Sequence, residues 1–273
     1  MGRAVRDEIA PYPLFMSHGA GCMVTDVDTN EYLDLNNDQD GHAHRALAGA
    51  VVTQVWAGGA LGAPSELVAK HAAVLRERAP SMEVVRYAGS SAEATLMALR
   101  TARGFTGRRL IATTEGSTHH LRHSTIYGSL ADVVVLPFDD LATTTALLRR
   151  HAPNLAAAVV EPVLPESGCL SGEPDHLREL RRLTAELGIL LIFDESRTFR
   201  LGPPQTTFGI NPDLTVVGDS VAGGLSMGGF GGRTDVVRKY ELDRPGPWQH
   251  ALTDFGKLSQ PSGGSLGPAD LRT

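Results

Sequence analysis

From residue 84 to residue 217 short apolar runs alternate with longer stretches in which apolar residues recur at helical spacing. The spacing predicts strands over 84–87, 110–113, 133–137, 156–162, 189–194 and 214–217, with helices over 92–103, 141–151 and 175–187. Strands joined through helices cannot pair as hairpins, so each helix crosses back over the sheet and successive strands run parallel. That makes the chain α/β, with helices on both faces of a mainly parallel sheet. The glycine-rich run Gly223–Gly232, GGLSMGGFGG, is unsuited to a helix and fits a turn into a last strand.

Upstream the pattern differs. In CMVTDVDTNEYLDL, residues 22–35, apolar and polar residues alternate around Asp-Thr-Asn, the mark of a small hairpin. Helical spacing returns over 44–56 and 65–78. Beyond Arg244 the chain is rich in Gly, Pro and Ser and has no periodicity. The expected organisation is therefore an N-terminal segment with a hairpin (1–40), a large domain (41–240) and an irregular tail (241–273).

Several function classes are excluded by what the sequence lacks. The net charge is -6 and its acids and bases are interspersed, so no basic stripe awaits a nucleic acid. No apolar run is long enough to span a membrane, and Met1-Gly-Arg-Ala-Val-Arg-Asp-Glu is not a signal peptide. Two cysteines, Cys22 and Cys169, make neither a disulfide framework nor a zinc knuckle. A soluble cytoplasmic protein acting on a small molecule is expected.

In open α/β sheets ligands bind at the carboxyl ends of the strands. Two predicted strands end in acids, AVVEP at Glu161 and LLIFDE at Asp194 and Glu195. Each follows a wholly apolar run, so these carboxylates are candidates for chemistry at the sheet's edge.

The string VVRYAGSSAEATLMALRTARGFTGR is followed in order by ATTEGSTHH, VVEPVLPESG, LLIFDESRTFR and NPDLTVVGDSVAGGLSMGGFGG, and preceded by LFMSHGAGCMVTDVDTNEYLDL and GHAH. Together these resemble the class III aminotransferases that depend on pyridoxal phosphate (PLP), above all the glutamate-1-semialdehyde 2,1-aminomutases, over roughly residues 12–240. The resemblance implies the fold type I large domain, a seven-stranded and mainly parallel sheet, and an active site shared across a dimer interface.

It also implies roles for single residues. Asp194 matches the aspartate that pairs with the cofactor's pyridine nitrogen, and Glu161 the acid of the family's Glu-Pro-Val motif. Ser90 and Ser91 fall in the phosphate-binding loop at a helix N-terminus. That loop reads Gly89-Ser-Ser-Ala92 in place of a Ser-Gly-Thr sequence, which removes a threonine hydroxyl and adds a side chain. Thr118 stands where the family stacks an aromatic residue on the ring. In Val217-Gly218-Asp219-Ser220, Asp219 occupies the place of the Schiff-base lysine. A carboxylate can neither bond the cofactor covalently nor act as the lysine base, and the exchange shifts the local charge by about two units.

The other lysines are Lys70 on a predicted surface helix, Lys239 after the last strand and Lys257 in the tail. The family's small C-terminal domain is not expected in this chain; PWQHALTDFGK resembles a remnant of the segment that lends a threonine to the neighbouring subunit's phosphate, with Thr253 as its candidate. His119, His120 and His123 in HHLRH, and His42 and His44 in GHAH, read as family loops, so no metal is expected.

Three functions follow. The leading one is a repurposed small-molecule enzyme in which Asp219, Asp194 and Glu161 carry acid/base chemistry in the former PLP cleft. The alternatives are a non-catalytic subunit forming a heterodimer with a full-length aminotransferase, and an enzyme that holds PLP or pyridoxamine phosphate (PMP) only non-covalently. The enzyme readings expect a homodimer.

Overall fold

The computed structural model describes residues 14–35, 41–58, 65–117, 132–202, 204–218, 221–223 and 225–242. The chain divides into two compact units, Met1–Leu61 and Gly62–Thr273.

The first unit contains an antiparallel sheet of β1 (Met16–Ala20), β2 (Met23–Asp26) and β3 (Glu31–Leu33), followed by helix α1 (Arg45–Ala57). The expected hairpin is β2–β3, and β1 pairs on its other edge. Asp26 builds the turn: its carboxylate accepts the N–H groups of Asp28 at 2.9 Å and Asn30 at 2.8 Å, and the Tyr32 hydroxyl at 2.8 Å. A short acidic side chain that satisfies the backbone ahead of it is what a tight Asx turn needs. The Asn30 amide, a further donor, leads in holding this carboxyl below the usual range.

In the second unit α2 (Glu66–Arg78) leads into β4 (Val84–Ala88), α3 (Ser91–Thr106), β5 (Leu110–Thr114), β6 (Val133–Leu136), α4 (Leu141–His151) and β7 (Leu155–Val160). The two-residue strands β8 (Val163–Leu164) and β9 (Leu170–Ser171) form a small hairpin, then come α5 (Pro174–Leu187), β10 (Leu190–Asp194), α6 (Pro204–Phe208), β11 (Leu214–Val217), β12 (Gly228–Gly232) and α7 (Thr234–Leu242). Among the described residues the main sheet has seven strands in the order β4-β12-β11-β10-β7-β5-β6. β12 is antiparallel to both its neighbours and the other pairs are parallel. No helix of the described residues is long and apolar enough to cross a membrane.

Local chemistry explains the helices that flank the site. The Ser90 hydroxyl accepts the Glu93 N–H at 3.2 Å, and the Glu93 carboxylate accepts the Gly89 N–H at 2.7 Å. The first bond satisfies one of the donors that any helix start leaves bare, and the second holds the residue before the cap. The helix ends at Gly107, whose φ of 68° suits a residue without a Cβ. Ala94, Ala98 and Ala102 give α3 a smooth buried face, which lets it lie close on the sheet. On the opposite sheet face Leu148 of α4 and Leu177, Leu180 and Leu183 of α5 pack with Leu191 and Phe193. Strands β7 and β10 are buried along their whole length, as a parallel sheet covered on both faces requires.

β12 is unusual in being four glycines and a phenylalanine, all buried. A Cβ on Gly228 would lie 2.2 Å from the Ser90 carbonyl oxygen, and one on Gly232 2.2 Å from that of Asp213. The glycines are therefore a packing requirement, since the strand runs against backbone where no side chain has room. Asp213 ties the same region together: it accepts the guanidinium N–H groups of Arg181 at 2.6 Å and Arg233 at 2.8 Å, and the Leu191 N–H at 2.8 Å.

Candidate active site

Parallel pairing sets Val160 beside Phe193 and Asp194 beside Val216. Glu161 and Asp194 are thus at equivalent positions, one past each of these partners, at the carboxyl ends of adjacent strands. Both are buried. Asp194 is held from two directions. Its Oδ1 accepts the Ser196 N–H at 2.8 Å, and its Oδ2 is 3.3 Å from the Thr95 hydroxyl, whose proton also points to the Ser91 carbonyl at 2.9 Å. A carboxylate oriented by a backbone donor on its own turn and a hydroxyl from α3 is fixed before any ligand arrives.

The start of α3 meets the ends of β10 and β11 at Gly218. A Cβ there would lie 2.8 Å from that of Ser91 and 2.7 Å from that of Ser196. Ser226 donates its hydroxyl to the Gly89 carbonyl at 3.0 Å, which staples the segment before β12 to the loop before α3. Three chain segments, after β10, after β11 and before β12, therefore converge on the start of α3, and the contacts are close because glycines stand opposite. Sequence reading treats Gly223–Gly232 as a turn into a strand; the fixing role of Gly218 and Gly228 shows only once the strands are in register.

Glu195 departs from the expected sheet-edge carboxylate. It is fully buried, and its backbone N–H donates to the Val216 carbonyl at 2.9 Å. Its Oε1 accepts from the Gln205 amide at 3.3 Å, while Oε2 has no hydrogen-bond partner among the described residues. Gln205 in turn accepts the Ser81 N–H at 3.2 Å, and the Ser81 hydroxyl is 3.0 Å from that of Thr215. Burial pushes the Glu195 carboxyl up to about 8; the Gln205 hydrogen bond opposes this and the neighbouring Asp194 charge adds to it. At neutral pH the residue is a carboxylic acid behind the site.

Thr118, Asp219, Thr253 and Lys257 lie outside the described residues, as do His119, His120 and His123. Lys239 falls in α7. Lys70 is exposed on α2 and pairs with Glu66 at 2.9 Å, as expected of a surface lysine. Among the described residues no three His, Cys, Asp or Glu side chains are grouped to hold a metal.

A mainly parallel sheet of this order, with a buried aspartate on the central strand and a helix start beside it, defines the large domain of a fold type I aminotransferase. The aminotransferase class-III family model matches residues 104–253, and the chain belongs to that family. It is 36% identical to the beta-phenylalanine transaminase of Variovorax paradoxus over 97% of this chain and 63% of that protein. It is 38% identical to glutamate-1-semialdehyde 2,1-aminomutase 2 of Halalkalibacterium halodurans over 85% of this chain and 60% of that one. The crystal structure of the Variovorax paradoxus beta-phenylalanine aminotransferase superposes with a TM-score of 0.81 at 31% identity, covering 99% of this chain and 66% of that one. A glutamate-1-semialdehyde-aminomutase from Pseudomonas aeruginosa, in a lysine-to-alanine variant in complex with PMP, superposes with a TM-score of 0.75 at 26% identity, over 89% of this chain and 59% of that one. The chain spans about three-fifths of the length of the curated relatives it matches.

Proposed function

We propose that this chain is a lysine-independent member of the class III aminotransferases that holds PMP or PLP by hydrogen bonds and charge alone and acts on a small amine or carbonyl compound. The observation that carries this reading is Asp194: buried, doubly oriented, and set beside the start of α3. The donor set fits a pyridine ring with a phosphate ester. A carboxylate with several lone-pair directions suits a protonated ring nitrogen. The first N–H groups of α3, at Ser91 and Ala92, have no acceptor within the helix and suit an anion, joined by the Ser90 and Ser91 hydroxyls. The Glu93 carboxylate in the same turn weakens that anion site, since it already takes the Gly89 N–H and brings a negative charge.

When bound, the group supplies an electron sink for charge developing at the carbon that bears the nitrogen. The chain's part is to keep the ring nitrogen protonated through Asp194, to seat the phosphate at Ser90 and Ser91, and to move protons with Asp219 where relatives use lysine. The Pseudomonas aeruginosa aminomutase, with one lysine exchanged for alanine and in complex with PMP, supports the view that a fold of this kind can hold such a ligand when a lysine is lost. Fluorescence titration of the purified chain with PMP, alongside Asp194→Ala, tests the reading. Saturable binding by the wild type, weakened at least tenfold in the variant, is expected for loss of a charge-assisted bond worth about 1.5–3 kcal/mol. No binding at millimolar PMP overturns it.

A second reading, cofactor-free acid/base chemistry in the same cleft, is favoured by the three buried acids Glu161, Asp194 and Glu195 at the ends of adjacent strands. Its mark is turnover of a small substrate that survives exhaustive removal of PMP and PLP and is lost in Asp219→Asn.

A further inference from the structure

β4, β12 and β11 bring Tyr87, Gly229 and Val217 into one row across the sheet. A Cβ on Gly229 would lie 2.9 Å from the Arg86 carbonyl oxygen, 3.5 Å from a Val217 methyl and 3.7 Å from the Tyr87 ring, so the row is closely packed. On this face His71 of α2 meets Tyr87: the phenol oxygen is 2.7 Å from Nδ1, and the two rings lie 5.4 Å apart at 42°. The opposite ring nitrogen, Nε2, is 3.3 Å from the Val221 carbonyl oxygen.

The partners decide the tautomer. A carbonyl only accepts, so Nε2 carries the proton and donates to Val221. Nδ1 then accepts from the Tyr87 hydroxyl, the one arrangement that satisfies both bonds with a neutral imidazole. Burial pushes the His71 imidazole below its ordinary value and the Tyr87 phenol above its own, so both groups stay uncharged. Val221 follows β11 in sequence, and its N–H donates to the Gly218 carbonyl at 3.0 Å. Asp219 is two residues before it in sequence.

We propose that His71, set in its Nε2–H tautomer by the Val221 carbonyl and held by Tyr87, is a positioning residue that fixes the Val221 carbonyl, two residues beyond the sequence position of the family's lysine. Tyr87 lies in the string that leads into the phosphate-binding loop, but neither residue is among those to which the resemblance gives a ligand-binding role, and they are 16 positions apart on separate elements. The pair converts the rigidity of α2 and β4 into a fixed carbonyl at Val221. It rests on the cofactor reading only for its effect on PMP.

The test uses the full chain and the variants His71→Ala, His71→Gln and Tyr87→Phe. Amide exchange by mass spectrometry is followed over residues 218–227, with PMP titrated in parallel. Loss of one hydrogen bond predicts about five- to tenfold faster exchange in His71→Ala and a similar loss of PMP affinity. His71→Gln, which can still offer an N–H to Val221, should recover most of both. Imidazole nitrogen NMR of the wild type should show an unprotonated Nδ1, a signature that Tyr87→Phe weakens. Unchanged exchange over 218–227 in His71→Ala, or a protonated Nδ1 in the neutral wild-type ring, overturns the proposal. If the wild type binds no PMP the cofactor reading fails, and the exchange and NMR results still decide the role of His71. Should His71→Ala fail to fold, Tyr87→Phe and His71→Gln carry the same comparison.

Discussion

Replacing Glu195 by glutamine should make the protein more stable at neutral pH while leaving it unchanged in acid. The reason is linkage. Glu195 is fully buried and its carboxyl titrates at about 8 in the folded chain, against an ordinary value of 4.5. Below 4.5 the group is protonated in both states and costs nothing. As pH rises from there, the unfolded chain gains by ionising while the folded chain stays neutral, so stability falls by about 1.4 kcal/mol per pH unit. The fall ends as pH passes the folded value of about 8. At pH 7 about two and a half units have accumulated, which gives roughly 3 kcal/mol. Glutamine is isosteric, keeps an acceptor for the Gln205 amide, and cannot ionise. Melting curves of wild type and Glu195→Gln between pH 4.5 and 8.5 should therefore coincide at the acid end and diverge to roughly 6–12 °C at pH 7. Curves that run parallel across this range would falsify the burial argument, because any pH-independent packing effect shifts them equally.

Gly228→Ala should destabilise the chain by about 2–3 kcal/mol or more and weaken PMP binding, since its Cβ would strike the Ser90 carbonyl; denaturant unfolding and titration measure both. Asp213→Ala leaves the Arg181 guanidinium and the buried Leu191 N–H facing a gap, while Arg233 keeps Asp235, and should cost about 3 kcal/mol, read from urea midpoints. Helix α1 exposes Val55 and Trp56, so light scattering should report a dimer that Trp56→Glu converts to a monomer. A wild-type monomer that pairs only when a full-length aminotransferase is added would instead mark the heteromeric alternative.

The parallel sheet was legible because its central strands β7 and β10 are written as uninterrupted apolar runs, LAAAVV before Glu161 and LLIF before Asp194. Asp194 and Glu161 were legible as strand-end acids for the same reason. Glu195 was named with them, but its burial was not legible, because an acid after a strand looks solvated unless one knows that Gln205, Ser81 and Thr215 close over it. The strand Gly228–Gly232 was blurred by its composition: glycine argues against regular structure locally, and only the backbone of Ser90 and Asp213 opposite explains why nothing larger is used. Helix α7 was hidden for a related reason, since TDVVRKYEL is too short to establish a period of its own and is recruited by Val236 and Val237 packing into the core.

The seams at Gly218, Gly228 and Gly232 bear on how such a protein changes over time. A substitution there collides with main chain, or at Gly218 with the Cβ atoms of Ser91 and Ser196, and is lost with the fold, whereas exchanging one side chain for another at the strand ends leaves those seams untouched. Descent under such a rule is lopsided: chemistry can drift residue by residue while the seat that once served it is inherited intact, open to whatever reaction the next side chains allow.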